Sequence, residues 1–112
     1  LDTLTASDVA LLKKYNATPY VPSGAAGSIP FIDIGGTYVS SGASFTPQLL
    51  SNKTQAEVAA ALKDPKDPIA QAVGGAANIL TAAVCRTTGG QPAAACTAPG
   101  IQAAATKLGH AG

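Results

Sequence analysis

Bulky, aromatic and charged side chains are scarce in this sequence of 112 residues. It has no tryptophan or methionine, three tyrosines and two phenylalanines, and charged residues make up 12% of the chain with a formal net charge of +1. Proteins that hold nucleic acid need a basic surface, so this composition argues against a nucleic-acid partner. Alanine supplies much of the 46% apolar content, which predicts one small domain with a thin core.

Cysteine and histidine are almost absent, and this limits the possible chemistry. Cys85 and Cys96 are the only cysteines, and the single histidine, His110, lies in a glycine-rich tail. The cysteine spacing matches neither a CxxC redox pair nor a zinc site, so we expect no metal, no cofactor and no catalytic residue. A structural disulfide is favoured over a redox-active pair, because residues 87–92 reverse the chain between the two cysteines.

Long hydrophobic runs are also missing. The longest apolar stretch, Ile69 to Val84, is short for a membrane span and contains Gln71 and Asn78, so we predict no transmembrane segment. Low charge, small residues and two cysteines favour an exported protein, secreted or on the cell surface. The sequence opens at Leu1 with a helix signal, so we expect any export signal or upstream domain to lie outside these residues.

The most informative segment runs from Gly27 to Gly36. Pro30 directly precedes an apolar strand that leads into the pair Gly35-Gly36 and a second short strand at 37–40. This pattern predicts a proline-initiated β-hairpin, and Ile29-Pro30 is a candidate for a cis peptide bond. Asp33 within the first strand is either a buried proton carrier or, as we favour, a carboxylate that lies at a strand edge or is bonded to backbone.

Helix signals flank the hairpin. We predict one helix before it, at 7–15, and three after it, at 54–63, 67–88 and 99–108. Gly74-Gly75 inside the third helix predicts that another backbone approaches closely there. Two strands alone do not make a stable sheet. We therefore expect further strands from other residues of the same polypeptide, from a protein partner or from a second copy of this chain to complete the sheet. The alternative is that the helices alone cover the hairpin.

Several short motifs together resemble one known family. They are Lys-Tyr-Asn at 14–16, Pro-Tyr-Val at 19–21, Gly-Ser-Ile-Pro-Phe-Ile-Asp-Ile at 27–34, Ser-Gly-Ala-Ser-Phe at 41–45, Pro-Ile-Ala-Gln-Ala at 68–72 and Asn-Ile-Leu-Thr-Ala-Ala-Val-Cys at 78–85. From about residue 13 to residue 96 the chain resembles the C-terminal half of an uncharacterised, exported, thioredoxin-like family of bacteria and archaea. Cys96 also matches the second late cysteine of that family.

The resemblance implies a site as well as a fold. Full-length members carry a CxxC in an upstream segment, facing a cis-proline loop, and this sequence lacks that motif. By resemblance, Ser28, Ile29 and Pro30 form the peptide-facing edge of a groove. Without a CxxC these residues can bind a peptide but cannot exchange disulfides.

We therefore expect an α+β, partial thioredoxin-like domain over residues 1–112, with a C-terminal helical tail at 97–112 and one disulfide. The favoured function is a noncatalytic extracytoplasmic binding or structural module. One alternative is a fragment of a thiol-disulfide oxidoreductase whose CxxC half is missing. Another is a small, disulfide-stapled extracellular helical protein with no relation to thioredoxin.

Overall fold

The computed structural model describes residues 2–109, which form two compact units, one ending at Ala43 and the other beginning at Ser44. Leu1 and His110, both mentioned above, lie outside the described residues. The α+β class, with a proline-initiated hairpin and one disulfide, is confirmed. The division into a single domain with a tail at 97–112 stays a prediction.

The first unit combines one helix with the hairpin. Helix α1 spans Ala6–Tyr15 and begins with a capping box, in which the side chains of Thr5 and Asp8 each bond the other's backbone amide. Strands β1 (Phe31–Ile34) and β2 (Tyr38–Ser41) pair antiparallel, with Phe31 opposite Ser41. The second strand lies one residue later than predicted.

The second unit is helical. It contains α2 (Gln55–Ala61), α3 (Pro68–Thr87), α4 (Ala93–Cys96) and α5 (Pro99–Ala105). Capping explains two of the starts: Thr54 and Glu57 form a capping box for α2, and Asp67 caps α3, which has Pro68 in its first turn. Helix α4, a single turn that the sequence patterns did not predict, follows directly on the chain reversal at 87–92.

The core of the second unit lies where α3 meets α5, and its buried members are small or contain sulfur. They are Ala82, Cys85, Cys96, Ile101 and Ala104. The Cys85–Cys96 disulfide runs through this cluster and joins the end of α3 to α4. No large side chain of the described residues is completely buried, in agreement with the thin core that the composition predicts.

The structure contradicts the prediction that another backbone approaches the glycine pair in α3 closely. Apart from the helix's own backbone, no atom of the described residues lies within 4 Å of a Cβ placed on Gly74 or Gly75. The predicted backbone approach is therefore wrong, and both positions face open space.

Helix α3 is long and apolar enough to cross a membrane, judged by length and composition. Its most apolar 18-residue window has a mean hydropathy of 1.4. One such helix is weak evidence, because the core helix of a soluble protein passes the same test, although only 17% of this window is buried. The absence of a transmembrane segment stays a prediction.

Candidate functional site: the outer edge of the hairpin

The loop that leads into the hairpin is held from inside by Asn16. Its side-chain Nδ2 donates to the Ser28 carbonyl at 3.0 Å, and its backbone carbonyl accepts from the Gly27 amide at 3.1 Å. Asn16 is only 5% exposed, and its Oδ1 has no hydrogen-bond partner within residues 2–109. These bonds hold the backbone at Gly27 and at the half-buried Ser28, the first of the three predicted binding residues.

Ile29 and Pro30 lie at the outer end of this loop. The Ile29 side chain is 84% exposed, more than any other large apolar side chain of the described residues. The Ile29–Pro30 peptide bond is cis, as are Thr18–Pro19 and Gln91–Pro92. Ser28, Ile29 and Pro30 are contiguous and accessible in this structure, but their role in binding stays a prediction.

The hydrogen-bond pattern of the hairpin shows which backbone groups are free. The Gly42 amide donates to the Pro30 carbonyl at 2.8 Å. Because pairing alternates along an antiparallel ladder, the backbone groups of Ile32 and Ile34 also point toward β2. The amides and carbonyls of Phe31 and Asp33 therefore point outward, and Ile29 lies just before the strand. They make no backbone hydrogen bond to any described residue.

A groove of about 260 Å³ lies between α1 and β1. Its lining consists of Leu4, Asp8, Leu11, Leu12, Phe31 and Asp33. Two of these residues come from β1 and none from β2, and since Phe31 and Asp33 alternate along the strand, the groove lies over one face of β1. The three leucines are between 38% and 60% exposed, so the groove has an apolar wall that is open to solvent.

The two carboxylates of the groove have different local partners. Hydrogen bonds from the Thr5 hydroxyl and amide hold the pKa of Asp8 below its ordinary value of 3.8. Asp33 Oδ1 accepts from the Gly36 amide at 2.9 Å and thereby fastens the hairpin turn. This backbone bond agrees with the role we favoured for Asp33 over that of a proton carrier.

The hairpin turn packs against the end of α1. A Cβ added to Gly36, which has φ of +65°, would lie 2.6 Å from Tyr15 Oη. Tyr15 also meets Tyr20 edge to face, with ring centroids 4.8 Å apart. The Lys14 ammonium lies 4.7 Å from the Tyr15 ring centroid, and its interaction with this side chain raises the pKa of Lys14 above 10.5. These contacts place the end of α1 beside the turn.

Both cysteines lie in the second unit, where they form a disulfide. Cys85 and Cys96 are joined with their Cα atoms 5.6 Å apart, and they are 9% and 5% exposed. The predicted disulfide between Cys85 and Cys96 is confirmed, and its structural role stays a prediction. The described residues contain no group of histidine, cysteine or acidic side chains arranged to hold a metal ion.

The groove is the feature that the sequence did not reveal. Leu4, Leu11 and Leu12 form a face of a predicted helix, and Phe31 belongs to a predicted strand, but no pattern in the sequence pairs that helix with that strand. The role of Asn16 was missed as well. Its place in the Lys-Tyr-Asn motif was the available signal. Asn16 also begins the glycosylation sequon Asn16-Ala17-Thr18, but its side-chain nitrogen makes a hydrogen bond inside the fold.

Fold and site together define the class: a small disulfide-linked α+β protein with an accessible strand edge beside an apolar groove. Within that class, the chain belongs to the family described as Domain of unknown function (DUF929), whose model matches residues 7–86. No curated protein and no solved structure matched the chain. The expected membership of a domain-of-unknown-function family is confirmed.

Proposed function

We propose that this chain is a noncatalytic, extracytoplasmic protein-binding module of thioredoxin-like ancestry that accepts an extended polypeptide segment along the outer edge of β1. The single observation that carries the proposal is the outward direction of the backbone groups of Phe31 and Asp33 on the unpaired edge of β1. An extended segment placed there adds a strand to the hairpin, a common mode of peptide recognition in which backbone bonds provide affinity.

The physical argument begins with the marginal stability of a lone hairpin. Two strands are at best marginally stable in water, and an unpaired edge is a template for another strand. The exposed side chains of Ile29 and Ile32, 84% and 38% accessible, add apolar surface along this strand. A guest strand would satisfy the free backbone groups and cover part of that surface.

The thioredoxin-like ancestry and the export of the protein rest on other support. Ser28, Ile29 and Pro30 lie in the segment that resembles the peptide-facing loop of the thioredoxin-like family. A disulfide is compatible with an oxidising compartment outside the cytoplasm. Neither cysteine of the chain is a free thiol, so binding is the role that these residues support best.

Amide hydrogen exchange tests the proposal directly. The probe is a blocked seven-residue peptide in which threonine alternates with leucine. We expect the peptide to slow exchange at Ile29, Phe31 and Asp33, whose amides are unpaired in the free chain. The amides of Ile32 and Ile34, which point toward β2, and those of Val39 and Ser41 on the other edge are the internal controls.

Two N-methylated versions of the peptide form the matched control. Methylation of alternate residues removes the donors on one side of a strand only. We expect one version, methylated on the leucines or on the threonines, to lose binding while the other keeps it. Equal affinity of both versions for the chain would contradict strand addition. If the same three amides slow with rising chain concentration and no peptide, the guest is a second copy of this chain.

A further inference from the structure

The groove beside β1 carries information about the guest, which the backbone groups alone do not provide. Of its six lining residues, four are apolar, two are carboxylates, and none carries a positive charge. A strand added to β1 presents every second side chain to the same face of the sheet. The side chains on the face of Phe31 and Asp33 would enter this groove.

We propose that the segment accepted by β1 carries a lysine or arginine flanked at alternate positions by apolar residues, with the cation facing Asp8 and Asp33 and the apolar side chains facing Leu4, Leu11 and Leu12. This inference rests on the proposed strand addition and specifies its partner. The occupant is an extended, cationic and apolar segment of another polypeptide.

Each carboxylate has an oxygen available for the guest. The bonds of Asp8 to Thr5 use Oδ2, and the bond of Asp33 to Gly36 uses Oδ1. The second oxygen of each makes no hydrogen bond to the described residues. Lys14 interacts electrostatically with Asp33, but it lies over the Tyr15 ring and is not part of the groove lining. The groove lining itself therefore carries two negative charges and no positive one, which favours a cation on the guest.

The apolar wall determines where an ion pair between the groove and a cation of the guest is strongest. A salt bridge in open solvent contributes little, but exclusion of water by adjacent apolar side chains strengthens it. An apolar guest residue on either side of the cation would cover the exposed leucines of the groove. The alternation of apolar and cationic residues is therefore the property that the groove selects.

Three blocked peptides of seven residues test this inference. Each has threonine at the odd positions and leucine at the second and sixth. The central residue is lysine, glutamate or norleucine. We expect the lysine peptide to bind at least about fivefold more tightly than the glutamate peptide, the ratio that corresponds to one partly screened ion pair. The ratio should shrink as salt rises from about 0.01 M to about 1 M, because the Debye length falls from about 30 Å to about 3 Å.

Variants that replace a carboxylate by a neutral amide test whether the preference for lysine depends on this groove. Asp33→Asn keeps an oxygen that accepts from Gly36, and we expect it to reduce the preference for lysine. Asp64→Asn is the matched control, since Asp64 Oδ1 accepts from a backbone amide in a comparable local turn, that of Lys66, but lies outside the groove. The salt dependence of the unmodified chain provides the same information if Asp33→Asn does not fold.

The outcomes separate the two proposals. Equal binding of the lysine and glutamate peptides, or a preference for glutamate, overturns the cationic guest and leaves strand addition in place. If none of the three peptides binds, both proposals are overturned. A preference for lysine that Asp64→Asn lowers as much as Asp33→Asn also overturns the assignment to this groove.

Discussion

At the scale of single residues, the first unit depends on a polar side chain in a position that small domains normally give to an apolar one. Asn16 is as buried as Val21, yet it bonds the loop before the hairpin at two points. If the Asn16 side chain loses its N–H donor, the Ser28 carbonyl loses its hydrogen-bond partner. The loop therefore depends on the chemistry of Asn16 and not only on its volume.

Replacement of Asn16 by aspartate tests this dependence. The carboxylate keeps the shape but cannot donate to the Ser28 carbonyl, so we expect a loss of about 1–3 kcal/mol in the free energy of unfolding, measured with urea. Asn52→Asp is the control, because Asn52 is exposed and has a positive φ of 59° that both residues tolerate. A loss of equal size at both positions would contradict the assigned role of Asn16.

Gly36 offers a second test at this scale. Alanine at Gly36 suffers from positive φ and from overlap with Tyr15 Oη, whereas alanine at Gly42 has a φ of +82° and open space. We expect about 1–2 kcal/mol of destabilisation for Gly42→Ala and more for Gly36→Ala. Tyr15→Phe should recover part of the loss at Gly36, since the nearest atom is the hydroxyl oxygen. Equal losses at the two glycines, measured by urea unfolding, would exclude the overlap.

At the scale of secondary-structure elements, capping was predictable and burial was not. Thr54-Gln55-Ala56-Glu57 predicts the start of α2, and both reciprocal bonds of the capping box are present. Leu62 is a large apolar residue at the C-cap of α2, yet it is 46% exposed. A cap depends on four consecutive residues, whereas the buried side of a helix depends on partners that are distant in the sequence.

The capping boxes predict the titration of two carboxyl groups. Hydrogen bonds from the Thr54 amide and hydroxyl hold the pKa of Glu57 below its ordinary value of 4.5. A lowered pKa in the folded state stabilises the fold above pH 4.5, and this contribution is lost as the pH falls from there through the folded pKa. Thr54→Val should return the Glu57 pKa toward 4.5, as measured by carbon NMR, and leave Asp8 unchanged. Thr5→Val should return the Asp8 pKa toward 3.8 and leave that of Glu57 unchanged.

The glycine pair of α3 predicts an unusual gain in stability. Alanine at Gly74 or Gly75 meets no atom within 4 Å outside the helix's own backbone, so each substitution should stabilise the chain by about 0.5–1 kcal/mol through helix propensity. Gly100→Ala in α5 is the control, because its Cβ would lie 2.9 Å from Asn78 Nδ2. Thermal unfolding measures all three. A loss at Gly74 or Gly75 would mean that another backbone does pack there.

At the scale of the whole molecule, the fold class followed from the sequence and the packing did not. The order of helix, hairpin and helices depends on local signals such as Pro30, Gly35-Gly36 and Asp67-Pro68, which act within a few residues. The groove joins Leu4 to Phe31, which are far apart in sequence, so no local signal predicts it. For a related reason, the buried residues of α3 could not be read from its apolar stretch. Val84 belongs to that stretch but is 42% exposed, whereas Ala82 and Cys85 are buried.

The disulfide should contribute a large share of the total stability. Its cysteines are 11 residues apart, and closing a loop of this size corresponds to about 3 kcal/mol on the chain-entropy model. The double variant Cys85→Ala and Cys96→Ala should lose about that much in urea unfolding. The unmodified chain treated with dithiothreitol is the comparison, because it loses the bond and keeps both sulfur atoms. An unchanged midpoint in both cases would show that the helices already hold this region together.

The length of the open edge has a consequence for how long a guest stays. Strand β1 spans the four residues Phe31–Ile34, about 10 Å of strand, before the Gly35-Gly36 turn ends it. A guest gains only a few backbone bonds over that distance, each of small net worth in water. For the proposed strand addition we therefore expect a short residence time that depends on the side chains of the guest, as in a protein that samples many passing chains.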